Sequence, residues 1–389
     1  MSYRFVPTTL LVGNFVIGTS VVAPAGILNE LSSDLGVSIR VASYLIAFGS
    51  AVLCVGSPLM SWLLSSVDRR PAMAAAMLLV AVTHIASAFV TSFESLLAIR
   101  MVMLLAAAFF TPQAASLAGV VAAPEKRAST VTYVFIGWSL ALAAGVPLMT
   151  AIASRYGWQA AYMTIGVAAS LCFVFLGLSL PSRLMTPPVD LKSWSQMFRS
   201  PPILLLLAIS AIMACGQFMV LTFIAPLLVL FGKTSPDGIS LTISIFGVAG
   251  IVGSVVAARI VGSLGAFATS LIFAVSVAAG MAVWSAGAGS GGYLPMMMGA
   301  AIWGLGFAAV NSLQLARLVV AAPELSPGAV ALNTSVLYIG QSIGSAIGGE
   351  LFDRGHYLPI GYLATAVIVA GVGVLLMTKP REAQARAGA

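Results

Sequence analysis

Two side chains capable of acid–base or electrostatic work stand alone inside long apolar runs. His84, in AVTHIASAF, is the only such mid-run group that titrates near neutral pH. It can carry a proton, or it can hydrogen-bond between packed segments. Arg100, in LLAIRMVMLLA, is costlier: at the centre of a bilayer an Arg costs about 2.5–3.5 kcal/mol, less if it snorkels to the interface. It can instead face a central cavity, where its planar five-donor fork suits an anionic group or several oxygens. The 11 Asp and Glu all fall in loops or near the ends of apolar runs. Glu30 and Glu350 are the run-end acids placed to take part in proton transfer. His84 and His356 lack metal-ligand spacing and no acidic pair lies within a run, so an enzyme site is not expected.

Amides supply a second kind of chemistry. Asn14, Gln113, Gln217, Asn311, Gln314, Asn333 and Gln341 interrupt the apolar runs, with Trp138, Trp303 and Tyr338 as aromatic companions. An amide both donates and accepts, so a ring of them reads a neutral polyol, amide or heterocycle. Each one singly can equally be an interhelical hydrogen bond, about 0.6 kcal/mol on average.

The elements that carry these residues follow from composition. Of 389 residues, 60% are hydrophobic and 7% charged, against about 25% in a soluble domain. The solvent is lipid. Runs such as LLLLAISAIMACGQFMVLTFIAPLLVLF (204–231) do not alternate with period two, so helices rather than barrel strands are expected. Glycine, proline and charge clusters divide the chain into twelve spans: 5–29, 39–64, 72–92, 95–121, 128–154, 158–180, 201–231, 239–261, 265–287, 292–318, 326–350 and 357–378. This predicts an all-α membrane protein of twelve transmembrane helices in two six-helix pseudo-repeat bundles. Their expected bounds are 1–181 and 201–389, joined by a charged, proline-rich linker at 182–200. The first span is too long for a signal-peptide core and is expected to be retained.

Of the 18 Lys and Arg, only Arg40, Arg155, Lys233 and Arg354 fall at outer ends if the N-terminus is inside, with Arg100 within a span. The remainder sit at inner ends, which places both termini in the cytoplasm. The formal charge of +7 reflects that topology rather than nucleic-acid binding. Cys54, Cys172 and Cys215 each stand alone, implying no disulfide framework or metal site.

The halves repeat. FIGWSLALAAGVPL (135–148) lies over YIGQSIGSAIGGEL (338–351) without a gap. Parallel repeats of this kind belong to alternating-access transporters with a mid-membrane site between the halves. Four stretches, FVIGTSVVAPAGILNELSSDLGVS (15–38), GVPLMTAIASRYGWQAAY (145–162), TFIAPLLVLFG (222–232) and ALNTSVLYIGQSIGSAIGG (331–349), resemble the major facilitator superfamily. Within it they are similar to the bacterial drug/sugar proton-antiporter, arabinose-efflux-permease-like group.

The resemblance implies a cytoplasmic latch at Asp68, Arg69 and Arg70. It also implies conformational roles for Gly137, Gly145 and Pro147, which resemble the antiporter motif; Gly340, Gly344 and Gly348 share one helix face. Departures are plain: Thr19-Ser20-Val21 stands where relatives often carry an acid, and Met103 and Leu104 follow Arg100 in place of the family's Gln and Gly.

The expected function is export of a small neutral or anionic solute by alternating access, in exchange for protons. Uptake, facilitated diffusion and a non-transporting receptor or assembly role on the same fold remain open. No cofactor beyond the proton gradient is expected. The partners expected are a small-molecule substrate and the bilayer, in a monomer of the bacterial inner membrane.

Overall fold

The computed structural model describes residues 5–64, 67–121, 127–180, 200–321 and 326–378. Every regular element among them is helical, and ten helices are long and apolar enough to cross a membrane. Contacts divide the chain into two compact units: Met1–Val189 with Ser235–Gly247, and Asp190–Thr234 with Val248–Ala389. The linker expected at 182–200 lies, apart from Ser200, outside the described residues.

The first unit opens with α1 (Val6–Gly26) and a short α2 (Leu28–Asp34), where a single span 5–29 was expected. Pro24 explains the break. It has no N–H for the Ser20 carbonyl and its ring crowds that carbonyl, so the helix ends within a turn. There follow α3 (Ile39–Leu63), α4 (Arg69–Ser87) and α5 (Phe93–Val121). The fifth span is compound: α6 (Arg127–Leu140), a π-helical segment Ala141–Gly145, then α7 (Val146–Tyr156). Ahead of Pro147 the helix widens to π register, the kind of local insertion common at functional sites. Trp158–Ser179 forms α8. Ile27, Leu31, Leu45, Leu96, Met149, Trp158 and Tyr162 form one core among these helices.

The second unit contains α9 (Pro201–Leu221) and α10 (Ile224–Gly232), again where one span was expected. Pro226 deprives the Thr222 carbonyl of its helical donor, as Pro24 does for Ser20. Next come α11 (Pro236–Ser290), α12 (Tyr293–Ala321), α13 (Ser326–Asp353) and α14 (Tyr357–Leu376). A straight helix of 55 residues would run about 80 Å, far more than a bilayer needs. Gly265 breaks α11 at φ 80°, ψ 161°, a conformation open chiefly to glycine. The start of α11 belongs to the first unit, where Ser240 Oγ donates to the Pro147 carbonyl at 3.2 Å.

The sequence repeat becomes a repeated helix pair. In the first unit, Gly137 lies so close to the Leu11 carbonyl on α1 that a Cβ would collide, and Gly145 lies equally close to Thr19. In the second, Gly340 and Gly344 press on the Ala211 and Cys215 carbonyls of α9, and Gly348 meets Met219 and Phe223. Lipid tails are as apolar as the helix surfaces, so close van der Waals packing through small residues holds these pairs.

Candidate functional site

Arg100 is buried inside the first unit, 3% exposed. Its Nε donates to the Leu45 carbonyl (2.6 Å), Nη1 to Ser20 (3.1 Å) and Nη2 to Val21 (2.8 Å). Ser20 is the residue whose carbonyl Pro24 leaves without a helical donor. The guanidinium therefore closes the gap in α1 and ties it to α3, leaving two of its five N–H groups over.

Beside it, His84 Nδ1 donates to the Val80 carbonyl at 2.9 Å, and the His84 ring sits 5.5 Å from that of Tyr162. Tyr162 is buried, and its hydroxyl has no hydrogen-bond partner among the described residues. Thr83, His84, Ser87, Arg100, Met103 and Tyr162 line a pocket with about 160 Å³ of empty space, nowhere wide enough for a water molecule.

Tyr162 packs edge-on against Trp158, whose Nε1 donates to Asp34 Oδ2 at 2.6 Å; Gln159 Nε2 donates to the same oxygen at 2.8 Å. Asp34 also lines an open cavity of about 460 Å³ with Asn29, Glu30 and Ser33. Glu30 Oε2 is buried there without a partner among the described residues, and burial pushes its carboxyl above the usual range.

The amides separate by unit. In the first, Trp138 Nε1 donates to Thr111 Oγ1 (3.4 Å), Thr111 donates to Asn14 Oδ1 (3.1 Å), and Asn14 Nδ2 donates to the Val134 carbonyl (3.2 Å). That chain joins α1, α5 and α6. Gln113 is buried on α5 with Oε1 unpaired among the described residues. In the second unit, Trp303 Nε1 donates to Gln217 Oε1 (2.9 Å) and Ser210 Oγ donates to Asn333 Oδ1 (2.7 Å). Gln314 Nε2 donates to Ser270 Oγ (2.9 Å), while its Oε1 accepts from Arg317 Nη1 (3.2 Å). Arg317 is itself buried, reaching Thr378 and lying over the Phe267 ring. Asn311 donates to the Phe307 carbonyl and keeps a buried, unpaired Oδ1. Gln341 is buried and Tyr338 half-buried on α13. Glu350 pairs with Arg354 at 2.7 Å near the end of the same helix.

At the other end of the first unit, Asp68 caps α4 by accepting from the Arg70 N–H (3.1 Å). Arg69 donates to the Leu64 and Val67 carbonyls, and Arg70 to the Gly177 carbonyl near the end of α8. The trio thus braces three helix ends within its own unit.

The structure brings together Arg100 with His84, and Asn14 with Trp138. Glu30 instead lines the open cavity with Asp34, and Glu350 pairs with Arg354. Tyr162, Trp158, Thr111 and Ser210 were missed by sequence reasoning. One signal was available: at the same 203-residue offset as the repeat, Gly13-Asn14-Phe15 lies over Gly216-Gln217-Phe218 and Thr19 over Thr222. Nothing local marks Tyr162.

The sequence matches the Major Facilitator Superfamily over residues 10–345. It is 27% identical to the inner membrane transport protein YdhP of Escherichia coli, covering 97% of this chain and 96% of that one. It is 23% identical to the "Probable sugar efflux transporter" of Mannheimia succiniciproducens, over 91% and 88%. A bacterial homologue of the human lysosomal transporter Spinster, in an inward-facing and occupied conformation, is similar in fold, with a TM-score of 0.75 over 98% of this chain and 97% of that one at 12% identity.

Proposed function

This chain belongs to the Major Facilitator Superfamily, and we propose that it exports a small neutral or anionic solute (a sugar, drug or metabolite) in exchange for protons. The family is one of transporters, so the chain is a multi-pass membrane transport protein and not an enzyme. On this reading it crosses the bacterial inner membrane twelve times, with both termini cytoplasmic, and acts as a monomer. Gly265 divides α11 into two crossings and α13 supplies another, which brings the ten apolar helices to twelve. Two six-helix bundles then expose a mid-membrane site alternately to either side.

One observation carries the choice of solute. The described membrane-length helices hold amides, hydroxyls and Arg100 away from their ends, but no carboxylate. A cationic solute would need such a carboxylate to replace its hydration; a neutral or anionic one is served by the groups present. The sugar-efflux relative supports the same class and the outward direction.

The test is transport in proteoliposomes under an imposed pH gradient, with labelled L-arabinose, D-xylose, a nucleoside and a sugar acid beside a cationic dye. Accumulation of a neutral or anionic solute that collapses with a protonophore is expected. Movement of the cationic dye alone would overturn the reading. Facilitated diffusion is the second reading, favoured by the sealing of His84 in a pocket that admits no water, and it predicts equilibration indifferent to the gradient.

A further inference from the structure

Resting on the proton-exchange reading, we infer that the pocket between α4, α5 and α8 is the collapsed form of a hydration site, through which a proton reaches His84 by way of the Tyr162 hydroxyl. The lining is what a buried water requires. A carbonyl can only accept, so His84 Nδ1, bonded to Val80, carries the hydrogen and Nε2 is left as a bare acceptor. Thr83 and Ser87 donate to the Leu79 and Thr83 carbonyls (2.6 and 2.8 Å), which keeps their oxygen lone pairs for a guest. Donors come from the Tyr162 O–H and from the two N–H groups of Arg100 not used on carbonyls. Buried waters take two to four such partners, yet no water fits the space as it stands.

A buried hydroxyl left unpaired favours any state that satisfies it. Parting of α4 from α5 and α8 supplies that state. A hydrated proton then binds Tyr162 Oη as the Tyr162 O–H proton passes to His84 Nε2. One O–H bond forms and one breaks, so Tyr162 ends neutral and His84 holds the proton. The charged and titratable groups facing His84 are Arg100 from α5 and Tyr162 from α8, with no carboxylate among the described lining residues. When the helices close, the route is dry and the proton cannot leak. Trp158, fixed by Asp34, holds the Tyr162 ring in place.

The chain has two histidines, so in a His356→Gln background a ¹⁵N-histidine label reports His84 alone. Measured in lipid nanodiscs, His84 is expected as the Nδ1–H tautomer, with proton exchange at Nε2 (imidazole to imidazolium and back) slowed about tenfold or more in Tyr162→Phe. The same variant should unfold about 2–4 °C higher, since it removes an unpaired buried hydroxyl. A merely structural hydroxyl predicts the reverse: lower stability and unchanged exchange. Exchange at the wild-type rate in Tyr162→Phe, or an Nε2–H tautomer in the wild type, overturns the route. The vesicle assay reads proton exchange separately: pH-driven transport together with Tyr162-independent exchange at His84 sinks the route and leaves that reading standing.

Discussion

Replacing Arg100 with Lys tests whether the guanidinium is a brace for the break in α1. Three bonds reach two helices, Leu45 on α3 and Ser20 with Val21 on α1. A single ammonium cannot span both helices as the fork does, so Lys forfeits two of them. Charge-assisted bonds contribute about 1.5–3 kcal/mol each in water, whereas interhelical bonds in membranes average about 0.6 kcal/mol. The two lost bonds therefore amount to about 1–6 kcal/mol, the lower end being the membrane figure. Pro24 sharpens the test, because Pro24→Ala restores an N–H to the Ser20 carbonyl and makes the Arg partly redundant. A double-mutant cycle read by thermal unfolding in detergent should show Arg100→Lys costing about 1 kcal/mol less in the Pro24→Ala background. Equal cost in both backgrounds would refute the link between the proline and the arginine. Wild-type stability of Arg100→Lys would refute the brace altogether.

Asp68→Asn should leave stability within about 0.5 kcal/mol of wild type, since Asn caps a helix as well as Asp, yet should slow transport if the charge acts in gating; wild-type turnover removes that role. Asp68→Ala should cost about 1 kcal/mol more by losing the cap, read in the same melts. Gly137→Ala and Gly340→Ala each drive a Cβ into a facing carbonyl and should destabilise by about 1–3 kcal/mol, whereas Gly177→Ala, which meets only open space, should not. Glu30 binds its proton more tightly folded than unfolded. Its contribution is thus full below its ordinary value of 4.5 and is lost as pH rises through the higher folded value. Glu30→Gln should flatten that part of the stability–pH curve, and an unchanged slope would show the carboxyl is not perturbed.

Much of the architecture was legible because membrane spans obey a length and polarity rule that residues satisfy locally. Few charges, long apolar runs and short breaks place the helices, and Pro24, Pro226 and Gly265 mark where the backbone changes course. Even so, the proline breaks were read as continuations of spans. An apolar run does not reveal that a carbonyl four residues back has lost its donor. The repeat was read in the fifth and eleventh spans and missed in the first and seventh, where only Gly-x-Phe and a threonine survive to carry it.

The sequence by itself determined the solvent, the helical class and the stock of polar groups inside the apolar runs. Tertiary structure alone decided what those groups do. Arg100 had two readings until its fork was seen on Leu45, Ser20 and Val21, and Gln314 reads as a cavity amide until Arg317 and Ser270 are placed beside it. Tyr162 looks like any aromatic in an apolar helix until its hydroxyl is found unpaired near His84. The reason is physical. In a soluble helix an apolar stripe marks the inner face, but a span whose every face meets lipid or another helix is apolar all round. Without that stripe, helix rotation and partner are set by glycine contacts and by bonds reaching across 27 to 125 residues of sequence, which no local pattern records.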